Sequence, residues 1–589
     1  MNKRLLRTIA VVAVILALGL SRAAGAEDGW TKLFNGKNLK GWKKLGGEAK
    51  YRVENGAIVG TTVPNSENTF LCTRKLYSDF VLKFQVKLVD NALNSGVQVR
   101  SNSYPSYKNG RVHGYQMEIE ANPKSDGGYK PLGEAGYIYD EARSGWLSKD
   151  RSENRMAFKN GEWNDVKIKC NGNRIQTWIN GQKIANVTDD QDRSGFIGLQ
   201  VHGIGDRKKP MEVRWRDIRL KRLDANQWKD LFNGTSLDGW HNPYEWGQAS
   251  VKNGEIRLTA RKKFFLVSDE TYGDFVFEAE VKLPDKHSNS GLQFRSHAKK
   301  NRVWGYQAEV DPSDRQWAGG LYDEARRGWL SPLKNKPVAQ NAFERGEWNS
   351  YRIECHGDHI EIFVNGVRTT NYRDPMDLTG HFALQHHGEE GKTYRFRNVR
   401  VKPQGRHAWK PIFNGKNFKG WHKAPGGDWT IKNEALVGVN SKQGKGYGML
   451  ISDSEYDDFT VRTELKSVRG NSGFYFRAAE VEGGAHVKGF QAEVEQGDDI
   501  GGLYETAGRG WVRKPDPKVI KKAYKPEAWN RMSVSAHGKW LVVHLNGHKT
   551  AELKGKVGRM KGHIALQLHG GQDVKVLFRN IEMLKKVQN

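Results

Sequence analysis

The sequence predicts an all-β protein of three tandem jelly-roll β-sandwiches. Three observations predict it. One domain-sized segment occurs three times, apolar–polar alternation dominates each copy, and Asn-Gly turns punctuate the alternation. Phe34-Asn35-Gly36 followed by Gly41-Trp42 returns as Phe232-Asn233-Gly234 with Gly239-Trp240, and again as Phe413-Asn414-Gly415 with Gly420-Trp421. The spacings, from 34 to 232 and from 232 to 413, far exceed the roughly 20–50 residues of a solenoid repeat and match a whole domain. Each position can therefore be read three times, and agreement among the copies carries information that a single copy lacks.

Lys3, Arg4 and Arg7 open the chain, an apolar run spans Ile9 to Leu20, and Ala24-Gly25-Ala26 has the small-x-small pattern of a signal-peptidase site. The run is about 12 residues, short of the roughly 20 that cross a bilayer. Residues 1–26 therefore read as a signal peptide. The expectation is an exported protein, periplasmic or extracellular, with no transmembrane segment in the mature chain. The three cysteines, Cys72, Cys170 and Cys355, are too few for a disulfide framework. Cys170 and Cys355 hold matching positions, where copy three has Ala536, which marks a small core residue; a Cys72–Cys170 bridge is the pairing left open. The net charge of +28 includes four basic residues of the leader. It suits anionic cell-wall polymers, although a solvated charged surface is the plainer account. The cations are spread over all three copies rather than gathered in one patch, which argues against nucleic acid as a partner.

The copies are placed at 27–223, 226–403 and 407–589. The joints Lys221-Arg222-Leu223-Asp224 and Lys402-Pro403-Gln404-Gly405 are short, so neighbouring domains are expected to touch. Within copy one, Phe80 to Leu88 alternates from Leu82 onward, and Phe275 to Leu283 and Phe459 to Leu465 repeat the pattern of a half-buried strand. Asn180-Gly181, Asn365-Gly366 and Asn546-Gly547 sit between β-branched or apolar runs as hairpin turns. Long helical periodicity is missing, and short strands broken by turns over about 180 residues describe a two-sheet sandwich.

Three motifs on predicted strands carry the polar chemistry. The first is Asn94-Ser95-Gly96-Val97-Gln98-Val99-Arg100, with Asn289 to Arg295 and Asn471 to Arg477 as its repeats. Alternation puts Gln98 and Arg100 on one face, Val97 and Val99 on the other. The second is Gly114-Tyr115-Gln116-Met117-Glu118-Ile119-Glu120, repeated from Gly305 to Asp311 and from Gly489 to Glu495. It presents Gln116, Glu118 and Glu120 together. The third is Leu199-Gln200-Val201-His202-Gly203, matched by Leu384 to Gly388 and Leu566 to Gly570, with glutamine and histidine opposite the aliphatics. If the three strands adjoin in one sheet, they form a concave patch of two carboxylates, an arginine, a histidine and glutamines. The outward face of any amphipathic strand is polar by default, but drift should scramble a merely solvated face, and here the residue types persist.

The candidate proton-transfer groups are Glu118, Glu120 and His202, with Glu309, Asp311 and His387, and Glu493, Glu495 and His569 in the other copies. Carboxyls two residues apart on a strand approach the roughly 5–5.5 Å of retaining glycosidases, and a close pair raises one of the two pKa values. Histidine moves a proton near neutral pH. Substrate contacts are assigned to Gln98, Arg100, Gln116 and Gln200, to Gln293, Arg295, Gln307 and Gln385, and to Arg477, Gln491 and Gln567. A fourth segment, Tyr139-Asp140-Glu141-Ala142-Arg143-Ser144-Gly145-Trp146, repeats as Tyr322-Asp323 to Trp329 and, with Thr506 and Gly508 substituted, as Tyr504 to Trp511. Its Tyr139, Asp140, Trp146, Tyr322, Asp323, Trp329 and Tyr504 suit sugar recognition, in which a ring covers the apolar side of a pyranose.

At these motifs, and at the closing Arg216-Asp217-Ile218, Arg397-Asn398-Val399 and Arg579-Asn580-Ile581, the chain resembles the 3-keto-disaccharide hydrolase domain family over nearly all of its mature length. The resemblance implies a concanavalin A-like jelly roll, export in bacteria, and cleavage of 3-keto-glycosides or 3-keto-disaccharides by hydrolysis or elimination. A C3 carbonyl acidifies the C2 hydrogen; Glu118 or His202 would be the base, and Arg100 would stabilise the enolate. A second resemblance is to laminarinase-type glycosidases, which carry Glu-x-Asp-x-x-Glu on one strand. Glu309-Val310-Asp311 matches its start, but the third carboxylate is missing near Asn122 and at Gln496-Gly497. The competing reading is a non-catalytic, lectin-like envelope protein whose three sites give avidity. No cofactor is called for; the fold class admits calcium, and Asp189-Asp190-Gln191-Asp192 reads as a turn.

Overall fold

The computed structural model describes residues 29–587 apart from 104–107, 124–131, 152–155, 190, 193, 224–226 and 445. The signal peptide read at 1–26 lies outside the described residues. The chain divides into two compact units, Met1–Asn226 and Gln227–Asn589.

In the first unit, two antiparallel sheets face each other. One runs in the order Gly145–Trp146, Ile138–Glu141, His113–Ile119, Ser95–Asn102, Phe196–Val201, Thr69–Thr73, Trp42–Gly46. The other runs Gln182–Thr188, Arg174–Ile179, Asn164–Asn171, Phe80–Leu88, Glu212–Arg222, Ala57–Thr61, Lys50–Glu54, with Trp30–Lys32 added beside Glu212–Arg222. Alternation explains the core. Phe80, Leu82, Phe84, Val86 and Leu88 are buried, and Val97, Val99, Tyr115, Met117 and Leu199 meet them from the opposite sheet. The Asn180-Gly181 pair closes a hairpin with both residues at positive φ, 47° and 84°, the geometry that favours this dipeptide.

In the second unit, copies two and three each keep their own seven-stranded sheet, but their remaining sheets merge into one of 15 strands. Strand Tyr394–Pro411 leaves copy two and pairs, through Arg406 to Pro411, with Glu582 to Val587 of copy three. The joint Lys402-Pro403-Gln404-Gly405 therefore lies inside an 18-residue strand. Asp358 of copy two is buried against copy three, where it accepts hydrogen bonds from the Thr460 and Ser535 hydroxyls, while Arg373 holds its other oxygen. Together these contacts keep its carboxyl low, at about 2, despite burial. Two short helices, Pro337–Gln340 and Pro517–Ala523, escape the sequence pattern; each opens on a proline, which suits a first helical turn.

All three cysteines are free and buried. The Cys72–Cys170 bridge is ruled out by position: Cys170 belongs to the central core, whereas Cys72 packs with Phe70, Val112 and Phe196 on the far face of the other sheet.

Alternation on the first motif strand ends at Arg100. Register with the neighbouring strand slips between Val99 and Asn102, and Arg100 takes a left-handed φ of 48°. This bulge turns the side chain inward. Its guanidinium donates to the Ser78 carbonyl at 2.6 Å, the Gly172 carbonyl at 2.7 Å and the Asp79 carboxylate at 2.8 Å. It thereby ties the two sheets together. Arg295 repeats this with Gly273, Gly357 and Asp274, and Arg477 with Asp457, Gly538 and Asp458. Removing one partner of a buried pair typically costs about 3–5 kcal/mol. Arg100→Met is expected to destabilise the first unit by that order in denaturant titration; a change under about 1 kcal/mol would refute the clamp.

Candidate functional site

The three motif strands are consecutive in one sheet of copy one: His113–Ile119, then Ser95–Asn102, then Phe196–Val201. The same order holds in copies two and three. Val97, Val99, Tyr115, Met117, Ile119, Leu199 and Val201 face the core, so Gln98, Gln116, Glu118, Gln200 and His202 share the opposite face. Registers align them in rows. Glu118 pairs with Gly96, and Gly96 with Gln200. In the next row Gln98 pairs with Gln116, and Gln116 with Tyr139. The Gly of the Asn-Ser-Gly motif has a steric role here. A Cβ on Gly96 would lie 2.4 Å from the Gln116 amide carbon, and one on Gly291 2.1 Å from that of Gln307. The bare glycine lets the glutamine amide lie flat beside the carboxylate.

Glu118 is the centre of the row. Its Oε1 accepts from Asn94 Nδ2 at 2.5 Å and its Oε2 from Gln116 Nε2 at 2.9 Å. Gln98 in turn donates to the Gln116 amide oxygen at 2.7 Å. Burial pushes the Glu118 carboxyl up to about 8, against the two amides that favour its ionised form; the charges of Glu120 and Glu141 push the same way as burial. Glu309 has the same amide partners, Asn289 at 2.9 Å and Gln307 at 3.0 Å, plus Arg315 at 3.2 Å, and is also raised by burial. Glu493, held by Asn471 and Gln491, is pushed by burial to about 7. The Gln200 amide is buried and neither its nitrogen nor its oxygen has a protein partner.

His202 follows Gln200 on the same face. Its Nδ1 lies 2.7 Å from the Gly203 carbonyl, which only accepts, so Nδ1 carries the proton and Nε2 is the free lone pair. His387 is raised chiefly by its Glu389 partner at 3.2 Å, and the Glu309 charge adds to the shift. In copy three the His569 Nε2 is occupied by the Tyr447 hydroxyl at 3.1 Å. Copy three differs further: Tyr475 replaces the inner glutamine, and its hydroxyl meets Thr506 at 2.7 Å.

The edge hairpin supplies a rim. Tyr139 and Trp146 meet edge to face at 5.2 Å, Tyr322 and Trp329 at 5.1 Å, and Tyr504 and Trp511 at 5.4 Å. Cations cover the indoles: Arg151 lies 4.2 Å from Trp146, Arg315 5.0 Å from Trp329 and Lys514 4.6 Å from Trp511. The Tyr139 hydroxyl is raised by burial and then by the charges of Glu141 and Glu118.

Three sets of expected site residues lie elsewhere. Arg100, Arg295 and Arg477 are turned away from the polar face by their bulges and serve as the inter-sheet clamp. Glu120, Asp311 and Glu495 stand past the strand end and hold the following loop. Glu120 accepts from the Leu132 and Glu134 amides, Asp311 from Ser313 and Trp317, and Glu495 from Asp499. The second carboxylate of the motif is thus spent on loop amides in each copy, and in copy two Arg315 bridges Glu309 and Asp311. Asp140 and Asp323 point beneath the hairpin, where Arg143, and Arg326 with Arg327, neutralise them. Of the segment 189–192, in which residue 190 lies outside the described residues, Asp189 accepts from Tyr115, and Asp192 pairs with Arg143.

Other members were overlooked. Asn94, Asn289 and Asn471 head the first motif in every copy, a signal passed over because the alternation starts after them. Glu141 and Glu324 share the tyrosine's face by simple alternation. Lys263, which donates to Glu324 at 2.6 Å, and Tyr447 come from a segment where the copies share no residue type.

The 3-keto-alpha-glucoside-1,2-lyase-like domain matches residues 29–221, 227–402 and 408–584. The chain is also 23% identical over 420 residues to a levanase of Bacillus sp. (strain L7), covering 69% of this chain and 40% of the levanase. Among solved structures, it resembles a carbohydrate-binding module CBM66 from Bacillus subtilis at 17% identity, 28% of this chain, 95% of that one and a TM-score of 0.23. It likewise resembles a Bacillus licheniformis β-glucanase at 14% identity, 31% of this chain, 99% of that one and a TM-score of 0.23. The matched segments span nearly the whole described chain and contain every strand of the three polar faces, so the chain belongs to the 3-keto-alpha-glucoside-1,2-lyase-like domain family, in three tandem copies.

Proposed function

We propose that the protein cleaves 3-keto-glucosides by elimination across C1 and C2. The observation that carries this reading is one buried carboxyl per copy, held by two amides and raised by burial, to about 8 in copy one and about 7 in copy three, in a family of this chemistry. A general base works best when its pKa lies near the operating pH. A Glu118 carboxylate oxygen takes the proton from C2, and the electron pair moves to the C3 carbonyl as an enolate. The enolate collapses to a C1=C2 double bond conjugated with the restored carbonyl as the C1–O bond breaks. The departing oxygen takes its proton through Nε2 of His202, whose lone pair binds one from solvent before the step while Nδ1 keeps its own on the Gly203 carbonyl. With Arg100 committed to the clamp, the unpartnered Gln200 amide, in the same row as Glu118, supports a role as the enolate's hydrogen-bond donor. Tyr139 and Trp146 form the wall against which a pyranose ring stacks. The leader-like start further supports export; the protein recovered from periplasm or medium should begin at Glu27, and N-terminal sequencing that finds residue 1 there would reject cleavage.

The reaction is tested on the full chain with a 3-keto-disaccharide and its unoxidised parent. Release of the aglycone with growth of conjugated-enone absorbance is expected from the keto sugar alone. The combined Glu118→Gln, Glu309→Gln and Glu493→Gln variant should lose about 10²–10⁴-fold in kcat, the usual worth of a general base. Retained turnover in that variant would refute the assignment. Saturable binding of sugar without turnover by the wild type would instead establish the lectin-like alternative.

The same carboxyl has a stability signature. Its folded pKa, about 8, lies above the ordinary value of 4.5. Between these values the folded state keeps a proton that the unfolded chain has released, so stability present at low pH is lost as pH rises through that window. Glu118→Gln removes this dependence. Urea titrations of the wild type and the variant at pH 5 and pH 8.5 should show a shallower fall for the variant; parallel falls would contradict the buried-carboxyl assignment.

A further inference from the structure

Copy two contains a cluster that the sugar site does not use and that neither other copy repeats. Asp274 is the fully buried partner of the Arg295 clamp: its Oδ1 receives Arg295 at 3.2 Å and the Gly357 amide at 2.9 Å. Asp79 and Asp458 make the same two bonds in copies one and three. In copy two the second carboxylate oxygen meets imidazoles. Oδ2 lies 2.6 Å from Nδ1 of His407 and 3.5 Å from Nδ1 of His356. The two rings stand nearly perpendicular, 83° apart with centroids 4.8 Å apart. One ligand atom from each of the three residues lies within 4.8 Å of the others, and among the described residues this is the single His/Cys/Asp/Glu group so arranged. Copy one has Asn171 and copy three His537 at the position of His356, so what sets copy two apart is His407, on the strand that crosses from copy two into copy three.

We propose that Asp274, His356 and His407 bind a divalent transition-metal ion of the zinc class at the joint between copies two and three. Two imidazoles and one carboxylate suit a borderline ion; calcium and magnesium prefer all-oxygen sites. With bond lengths of about 2.0–2.2 Å, the ligands need to move by only about an ångström to surround one ion, leaving a fourth position to water. Arg295 is already matched to Oδ1, so Oδ2 retains its negative charge for the metal. The other cation nearby is Lys586, the register partner of His407. His356 is more than half exposed, 57%, which gives an ion a path from solvent. Bound metal would staple the crossing strand Tyr394–Pro411 to both Asp274 and His356, fixing the two copies' shared sheet at the point where it passes between them.

The test uses the full chain, stripped with chelator and titrated with zinc ion alone in competition with a chromophoric chelator. One equivalent should bind, and His356→Ala and His407→Ala should each weaken that equivalent by at least tenfold. Cobalt ion in place of zinc should give the visible absorption of a four-coordinate site, lost in both variants. His356 is half-exposed, so its variant tests the site even if His407→Ala misfolds. Absence of zinc uptake by the wild type, or equal uptake by the His356→Ala variant, would overturn the proposal. Turnover of 3-keto sugar is a separate measurement that this result leaves untouched.

Discussion

The buried arginine of each copy is the constraint on which the sandwich and its site both depend. It sits at a left-handed bulge and spends its guanidinium on two carbonyls and a carboxylate of the opposite sheet. An unpaired guanidinium at that depth would be prohibitively costly, so the bulge, the sheet spacing and the Asp79-type partner are set together. The bulge also ends the polar face: residues before it present Gln98 outward, and the arginine itself goes inward. The clamp therefore limits the site to the amide and carboxylate rows.

Within those rows the chemistry follows from burial. A carboxyl taken out of water prefers its neutral form, and two amide donors partly restore the ionised one. The balance leaves Glu118 and Glu493 near neutrality. In copy two, Arg315 adds a cation beside Glu309, and copy three exchanges a glutamine for Tyr475 and a carboxylate for Thr506. The three sites are thus variants of one arrangement rather than identical repeats. Copy one carries the fullest set of unpartnered polar atoms in Gln200.

The second unit shows what tandem repetition permits beyond duplication. A strand long enough to serve two sandwiches makes one sheet of both, and the buried Asp358 contacts seal the joint. Residues at such a joint are released from the copy-by-copy pattern. His407 is an example: the clamp aspartate is common to all copies and copy three has His537 at the position of His356, whereas His407 comes from the strand that only the joint supplies.

The sequence by itself determined the threefold repeat, the all-β class, the alternation that buries Leu82, Val97 and Met117, and the polar face of Gln98, Gln116, Glu118, Gln200 and His202. These follow from period-two geometry, which is local and repeats three times. Tertiary structure decided the rest. Alternation cannot foresee a bulge, so it puts Arg100 on the wrong face; it cannot see where a strand stops, so it sets Glu120 and Asp311 beside Glu118 and Glu309 although they hold loops. Asp140 and Asp323 looked available until the arginines beneath their turn were in place. The Asn94 contact, the sharing of one sheet by two copies and the Asp274–His407 cluster join residues far apart in the chain. Only packing brings such residues within hydrogen-bonding distance, because no local pattern encodes which strand a side chain will meet.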